Sequence, residues 1–370
     1  MDLTDLEVAS GMVSGGTPVA LPPTDLDGRA AVEAVLLGLL AERPVTVAFS
    51  GGRDSSAVLA LATHVARREG LPDPVPLTLR FPGVADAEES TWQDHVVAHL
   101  GLIDWERIAL TDELDVLGPL ATGNVLRHGV EWPVNVHFHD PLLARSAGAV
   151  LLTGVDGDGL LNGGRWRNVT GRGLHHARTT LAGVAPRRLH ARRSLRAGSI
   201  PAWLTPAAQR EVALADAALK REPRRWDRRL AWYRGRRHLD VCLRAFDRHA
   251  ADHGAAIAHP LAEPLFLAGL ARSGGRDGWP DRTAALAALV SDLLPDALVR
   301  RPTKARFTAA VVGPSVARFA GTWSGDGVPL ASAAALRAQW ASPRPDLRSL
   351  TALHAAWLAD ARAGTAAEPA

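Results

Sequence analysis

The sequence predicts an α/β fold: a doubly wound parallel sheet followed by a large helical C-terminal part. Three observations support this prediction. Through the first half of the chain, short apolar runs alternate with segments in which apolar residues recur at helical spacing. The first run, Pro44–Phe49, is rich in β-branched residues and enters a glycine-rich turn, as buried parallel strands do. After Gly164 the pattern is mostly helical, and strand–helix alternation of this kind is typical of parallel sheets.

The individual elements can be assigned in chain order. The predicted strands are Pro44–Phe49, Val75–Phe81, Trp105–Leu110 and Ala149–Thr153. The predicted helices of the first half are Ser55–Arg68, Glu88–Leu100 and Val136–Ser146. We divide the chain into a short N-terminal segment (1–43), an α/β core (44–164), a mostly helical substrate-side region (165–360) and a flexible tail (361–370).

The composition excludes several classes of protein. The 370 residues are 47% hydrophobic and 22% charged, which excludes a disordered, collagenous or coiled-coil protein. No apolar run approaches the ~18–20 residues that cross a bilayer, and the acidic N-terminus lacks the apolar region of a signal peptide. The one cysteine, Cys242, excludes an intrachain disulfide and a cluster of cysteine metal ligands. We therefore expect a cytoplasmic protein that does not associate with membranes.

The charge is distributed unevenly along the chain. Residues 1–164 hold 9 basic and 23 acidic side chains, whereas residues 165–237 hold 19 basic and 4 acidic ones. The basic segment is either a solvated helical surface or a binding surface for an anionic partner such as a carrier protein, an acidic substrate or nucleic acid. Only Lys220 and Lys304 among the 42 basic residues are lysines, so each is a candidate for a position where arginine does not suffice.

A turn rich in glycine and serine directly after the first strand is the strongest functional motif. It consists of Ser50, Gly51, Gly52, Arg53, Asp54, Ser55 and Ser56. Glycines let the backbone approach a ligand closely, while N–H groups, hydroxyls and the start of the next helix favour an anion. Asp54 suits a metal ion that bridges phosphates. The turn is neither a Walker A loop nor a GxGxxG dinucleotide motif.

This turn resembles the SGGxDSS pyrophosphate loop of the N-type ATP pyrophosphatases, which cleave ATP between the α and β phosphates and adenylylate a substrate. A second stretch, Ala149–Gly164 (AVLLTGVDGDGLLNGG), resembles the LSGEGADELFGGY motif of the asparagine synthetase synthetase domain. Ala85–Gly101 and Leu239–Ala271 resemble two further segments of that domain. The resemblance extends over about residues 30–320. It implies an asparagine synthetase-like protein with a sheet of the adenine-nucleotide α-hydrolase type.

The resemblance implies roles for residues of both motifs. The second motif departs from the family pattern, because Val155 stands where the family has a glutamate, and Asp156 is a candidate for a displaced carboxylate. The asparagine synthetase reaction itself is therefore an open question. Mg²⁺ would bind Asp54 and Asp158. ATP would contact Phe49, Ser50, Gly51, Gly52, Asp54, Ser55, Ser56, Leu79, Thr153 and Gly154.

A third stretch, Arg301–Phe307 (RPTKARF), resembles the family's late lysine loop, which reaches back to the phosphates and the acyl-adenylate. A compact ammonium group can neutralise negative charge that develops during the reaction. Lys304 is thus the predicted catalytic lysine, and Asp156 and Asp158 are the predicted catalytic carboxylates.

The start of the chain differs from that of glutamine-dependent asparagine synthetases. Those enzymes begin with a glutaminase domain whose cysteine follows the initiator methionine, whereas Asp2 follows Met1 here. We therefore expect ammonia or an amine as the nucleophile, as in the related β-lactam synthetase and lasso-peptide macrolactam cyclases. The expected partners are a carboxylate substrate and its amine or ammonia donor, with a precursor peptide, a carrier protein or a separate glutaminase subunit as further candidates. We do not expect nucleic acid as a partner.

The predicted function is that of an AMP-forming carbon–nitrogen ligase. It would adenylylate a carboxylate with ATP and Mg²⁺, release pyrophosphate and form an amide, in natural-product or peptide macrolactam biosynthesis. Two alternatives remain open. The basic segment favours a tRNA-modifying ATP pyrophosphatase, and the loss of the family glutamate at Val155 favours a catalytically degenerate nucleotide-binding partner.

Overall fold

A computed structural model describes residues 3–82, 84, 89–111, 113–162, 186–301 and 311–367. Its centre is a five-stranded sheet with the order β3-β2-β1-β4-β5, in which every neighbouring pair is parallel. The parallel sheet with flanking helices confirms the predicted α/β fold class. The strands are β1 Val45–Ala48, β2 Val75–Arg80, β3 Glu106–Ala109, β4 Val150–Leu152 and β5 Ala256–Ala258.

The helices of the described residues lie on both faces of the sheet and in a second unit beside it. Those up to residue 160 are α1 Asp5–Ser10, α2 Gly28–Glu42, α3 Arg53–Arg68, α4 Ser90–Leu100, α5 Pro119–His128, α6 Asp140–Arg145 and α7 Gly157–Leu160. Those that follow residue 186 are α8 Arg187–Arg196, α9 Pro206–Leu219, α10 Trp226–Arg234, α11 Arg237–Asp252, α12 Pro264–Gly274, α13 Arg282–Val290, α14 Asp296–Val299, α15 Pro314–Thr322, α16 Ala333–Trp340 and α17 Leu350–Ala367.

The buried strands explain the apolar runs of the sequence. Leu151 and Leu152 of β4 and Val47 of β1 are completely buried, because neighbouring strands and helices cover both faces of a parallel sheet. On one face the core contains side chains of α2, α3, α12 and α13. On the other face, Leu143 of α6 and Ala250 of α11 pack near Leu151. This arrangement is the doubly wound one.

A second hydrophobic core lies among the helices outside the sheet. It joins α1, α8, α9, α15, α16 and α17 around buried tryptophans, which include Trp203, Trp323 and Trp340. The indole N–H of Trp203 donates to the carbonyl of Ala9 at 2.8 Å, which links α1 to this core. None of the described helices is long and apolar enough to span a membrane.

Several helices of the first half, among them α2 and α5, were not predicted from the sequence, and two further elements differ from the prediction. The predicted helix Val136–Ser146 is divided into a 3-10 turn, Val136–His139, and α6, because Pro141 fixes the start of α6 in its first turn. Strand β5 was not predicted, since three small and aliphatic residues give no periodic pattern. It pairs with β4 through the register Leu151↔Ile257.

A buried charge network fixes α11 against α6. His249, which is 1% exposed, donates from Nδ1 to Asp140 Oδ1 at 2.6 Å and from Nε2 to Glu131 Oε2 at 2.7 Å. Asn124 donates a further hydrogen bond to Asp140, and Arg248 pairs with Glu131. Burial alone would lower the pKa of His249, but its hydrogen bonds to the two carboxylates raise it to about 9. The network therefore requires the imidazolium form.

We expect His249→Gln to lower the free energy of unfolding by roughly 3–5 kcal/mol at neutral pH, because one buried carboxylate loses its charged partner. The folded pKa lies above the unfolded one, so the wild-type protein should lose this stabilisation as pH rises through about 9. Urea denaturation between pH 7 and pH 10 measures both effects. The exposed His95 provides the control variant His95→Gln. Equal stability of His249→Gln and wild type at pH 7 would contradict this prediction.

Candidate functional site

A cavity of about 670 Å³ lies at the carboxyl ends of β1, β2 and β4, where ligands bind in open parallel sheets. Its wall is apolar on the side of β2 and the 3-10 turn, and polar on the side of α3. The residues that line it include Phe49, Ser50, Gly52, Arg53, Asp54, Ser55, Leu79, Phe81, Glu89, Gln93, Phe138, His139, Leu142, Thr153, Gly154, Val155, Arg282 and Arg301. Most of the predicted ATP-contacting residues are among them.

The turn after β1 forms a compact loop held by its own hydroxyl groups. The hydroxyls of Ser50 and Ser55 lie 3.1 Å apart, and that of Ser55 also accepts the N–H of Ser50 at 3.3 Å. Gly52 is the N-cap of α3, and it provides no side-chain cap for the first turn of that helix. The N–H groups at the start of α3 therefore suit a bound anion.

Two buried side chains hold the loop through hydrogen bonds to its carbonyl groups. Gln93 of α4 donates from Nε2 to the carbonyl of Ser50 at 3.0 Å, and Arg301 donates from Nη1 to the carbonyl of Gly51 at 2.8 Å. Gly51 has a φ of 80°, in the left-handed region that favours glycine. A Cβ there would lie 2.7 Å from Cγ of Gln93, so the loop and α4 are in direct contact.

Asp54 occupies the first turn of α3 and is largely buried. Its Oδ2 forms an ion pair with Arg282 of α13, while its Oδ1 is buried without a hydrogen-bond partner among the described residues. Burial raises the pKa of Asp54, the ion pair with Arg282 opposes this, and the nearby carboxylate of Asp158 raises it further. An unsatisfied carboxylate oxygen beside a second carboxylate suits a divalent cation.

The turn after β4 packs directly on the start of α3. A Cβ at Gly154 would lie 2.8 Å from the backbone nitrogen of Ser55, and one at Gly157 would lie 2.4 Å from Cγ of Asp54. The two glycines therefore let the second motif reach the first, as the sequence predicts for strand ends at one edge of a sheet. Asp158, in the first turn of α7, is exposed and interacts with Asp54.

Three residues of the second motif have distinct environments. Thr153 is buried, and its hydroxyl lies 2.7 Å from Nδ1 of His259. Val155 lines the cavity and packs against an apolar cluster that includes Phe246. Asp156, at a φ of 63°, accepts a hydrogen bond from the Tyr233 hydroxyl at 3.0 Å and is not among the cavity-lining residues. The structure thus presents Val155, rather than Asp156, to the cavity.

The remaining predicted residues divide into three groups. Phe49 and Leu79 line the apolar wall, and the ring of Phe49 packs edge-on against Trp105 with centroids 6.5 Å apart. Gly51 and Ser56 are buried behind the cavity surface. Lys304 lies outside the described residues.

Several cavity-lining residues were not predicted as site residues. Arg282, Arg301 and Gln93 contact the loop or its carboxylate from distant parts of the sequence, and Glu89 pairs with Arg301. Arg53 and Arg282 both line the cavity beside the start of α3, and burial together with the neighbouring Arg282 lowers the pKa of Arg53. Together with the first turn of α3, they form a positive site that suits a polyphosphate.

Within the described residues, no group of three or more histidine, cysteine, aspartate or glutamate side chains is arranged to hold a metal ion by protein ligands alone. The two carboxylates of Asp54 and Asp158 nevertheless suit Mg²⁺, which keeps several waters and binds one or two carboxylates together with substrate phosphates. The cavity as a whole therefore suits an adenine-sized apolar group on one side and a metal-bound polyphosphate on the other.

A family model for asparagine synthase matches residues 29–339, which is most of the chain. No curated protein matches the sequence. The family match confirms the resemblance inferred from the two glycine-containing motifs, and it assigns the chain to a group of ATP-dependent synthetases that form amide bonds. The chain belongs to the asparagine synthase family.

Proposed function

We propose that this protein activates a substrate carboxylate as an acyl-adenylate and then forms an amide with ammonia or an amine. The proposal rests on one observation: the two motifs meet at Asp54. At that point the serine–glycine loop, the start of α3 and a second carboxylate, that of Asp158, adjoin one cavity. A loop of this kind suits the β and γ phosphates, which leave together when a nucleophile attacks the α-phosphorus.

The residues of the chain would have separate roles in adenylylation and in amide formation. A substrate carboxylate oxygen attacks the α-phosphorus, and the bond to the β-phosphate oxygen breaks, so that pyrophosphate leaves. The loop N–H groups, Arg53 and Arg282 would stabilise the charge on the leaving pyrophosphate. Asp54 and Asp158 would hold Mg²⁺, which neutralises phosphate charge when bound. The amine then attacks the acyl carbon, and AMP leaves as the amide forms, with Lys304 proposed to stabilise negative charge.

The apolar environment of Val155 bears on the choice of nucleophile. Val155 occupies the position of the family glutamate in the cavity wall, and the carboxylate of Asp156 accepts a hydrogen bond from Tyr233 instead. We infer that the second substrate differs from that of asparagine synthetase. An amine of a peptide or natural-product precursor is the proposed nucleophile, bound beside Val155.

The product of ATP cleavage tests the proposed reaction class. We expect turnover to release AMP and pyrophosphate in equal amounts, because the loop holds the leaving β and γ phosphates. Chromatography of the nucleotides, with an enzymatic assay for pyrophosphate, measures this during incubation with candidate carboxylates and amines. Formation of ADP and orthophosphate would overturn the assignment.

The basic segment includes a helix suited to an anionic partner. On α8, Arg188, Arg192, Arg193 and Arg196 are exposed, while His190 and Ser194 are buried. No ion pair joins these four arginines to the described residues, and the sequence from Gly159 to Arg210 contains no aspartate or glutamate. We propose that this face binds an acidic peptide or carrier protein, because it lacks the exposed aromatic side chains on which single-stranded bases stack.

Polyglutamate serves as a probe of this surface. We expect it to bind the wild-type protein with an affinity that falls as salt rises, and to bind Arg192→Gln/Arg193→Gln/Arg196→Gln more weakly. The control variant Arg67→Gln/Arg68→Gln/Arg145→Gln removes arginines that are paired with carboxylates and should bind as wild type does. Fluorescence anisotropy with labelled polyglutamate and labelled tRNA makes the comparison. Tighter, salt-sensitive binding of tRNA would favour a nucleic-acid substrate instead.

A further inference from the structure

We propose that Gln93 and Arg301 are positioning residues that turn the N–H groups of the Ser50–Ser56 loop toward the phosphates. They would do so by holding the carbonyl groups of the loop on the opposite side. The inference rests on the proposed function, since it takes the loop to bind the phosphates of ATP. It adds two residues that donate hydrogen bonds to the carbonyl groups of the loop.

The geometry of the peptide unit links the direction of each loop carbonyl to that of the next N–H group. In a planar trans peptide, the carbonyl of one residue and the N–H of the next point in opposite directions. The bond from Gln93 to the carbonyl of Ser50 therefore fixes the direction of the Gly51 N–H, and the bond from Arg301 to the carbonyl of Gly51 fixes that of the Gly52 N–H. The Gly52 N–H donates at 3.3 Å to the hydroxyl of Ser50, which itself lines the cavity, so it points toward the proposed phosphate site. Successive N–H groups fixed on one side of a turn form an anion-binding concavity.

Both side chains are themselves fixed. Gln93 is 3% exposed and Arg301 is 4% exposed. Arg301 forms a buried ion pair with Glu89, and its guanidinium lies 4.7 Å from the ring centroid of Trp92. The carbonyl of Glu89 accepts the backbone N–H of Gln93 at 3.0 Å. The two donors are thus linked through Glu89, directly before α4, and both contact the loop.

Stability alone does not account for this unit. A buried ion pair contributes little net stability compared with well-packed apolar residues of the same volume. Arg301 of this ion pair and the neighbouring Gln93, however, donate hydrogen bonds to two consecutive carbonyls of an anion-binding loop, which is a specific geometric role. That role is to orient the loop before the ligand arrives, so that binding requires no rearrangement of the backbone.

The test compares ligands with and without phosphate. Calorimetry would measure the dissociation constants of inorganic pyrophosphate, ATP and adenosine for the full chain. The variants are Gln93→Leu, Arg301→Met and the charge-conserving double variant Glu89→Gln/Arg301→Gln. Arg300→Met is the matched control, because Arg300 is the exposed neighbour of Arg301 and pairs with the exposed Asp296. Circular dichroism and thermal denaturation would establish that each variant is folded.

We expect Gln93→Leu and the double variant to bind pyrophosphate and ATP about tenfold more weakly, which is the effect of losing one hydrogen bond of ordinary strength. The affinity for adenosine should be unchanged, because adenosine makes no use of the loop N–H groups. Arg300→Met should bind all three ligands as wild type does. If Arg301→Met does not fold, the neutral substitution Gln93→Leu decides the question alone.

Two results would overturn the inference while leaving the proposed function intact. One is pyrophosphate affinity within twofold of wild type in folded Gln93→Leu and double variants. The other is a parallel loss of pyrophosphate and adenosine affinity, which would show a general structural effect. A wild-type protein that binds neither ATP nor pyrophosphate would instead overturn the proposed function, and this inference with it.

Discussion

Asp54→Asn is expected to lower ATP turnover by roughly 10³-fold, because the variant loses a negative charge that the proposed metal-bound polyphosphate requires, worth several kcal/mol in the transition state. Asparagine has almost the same shape as aspartate, so the contacts of Gly157 with this side chain should persist. The measurement is the rate of pyrophosphate release at saturating ATP and at two concentrations of Mg²⁺.

The control for this prediction is Asp73→Asn, which removes an exposed carboxylate paired with Arg67. Exposed ion pairs of this kind contribute about 0–1 kcal/mol, so turnover should not change. Asp54→Asn also leaves Arg282 without its charged partner, and circular dichroism must therefore show that the variant is folded. Turnover above about a tenth of the wild-type rate would exclude Asp54 as a metal ligand.

Lys304→Ala should lower kcat by roughly 10²–10³, or about 3–4 kcal/mol, with a small effect on the apparent KM for ATP. The physical reason is that a compact ammonium group would stabilise charge that develops only in the transition state. Lys304→Arg should not restore the rate, because the guanidinium is larger and spreads its charge over a plane. Single-turnover measurements of pyrophosphate release separate this effect from product release.

Lys220, the other lysine, supplies the control for Lys304. It lies directly after α9, where its ammonium group donates to Asp216 at 2.5 Å across one helical turn. An arginine can form the same ion pair, so Lys220→Arg should leave both activity and stability unchanged. A normal rate in Lys304→Ala, or a larger loss in Lys220→Arg, would contradict the role assigned to Lys304.

The sequence predicted the fold, and it indicated that the two glycine-containing motifs lie at strand ends, for identifiable reasons. Residues Ser50–Ser56 and Thr153–Gly154 immediately follow apolar strand runs, and strand ends of a parallel sheet meet at one edge. In the structure the two motifs do meet, because Gly157 of the second motif contacts Asp54 of the first. Helical periodicity placed α3 and α4 correctly, since both carry apolar residues at regular spacing.

The sequence could not indicate the residues that complete the site from distant segments. Arg282 lies 228 positions from Asp54 and Arg301 lies 250 from Gly51. Arg301 begins the RPTKARF stretch, but in a chain in which nearly all basic residues are arginines nothing indicates that it, or Arg282, contacts the first loop. The burial of Gln93 depends on how α4 meets the loop, which no local pattern specifies. The environment of Asp156 was also inaccessible, because its partner Tyr233 belongs to α10.

Strand β5 is far from β4 in the sequence, and this separation affects folding during synthesis. Ala256 follows Leu152, the last residue of β4, by 104 positions, although the two strands are neighbours. Until β5 has been synthesised and paired, β4 is an edge strand. The backbone groups on its outer side then have no partner strand, and its leucines are uncovered. Such an edge recruits other chains, and contacts between distant segments form slowly. A nascent chain that ends at residue 164 therefore carries an aggregation-prone edge, and the sheet is complete only after β5, which lies within the helical half, has emerged.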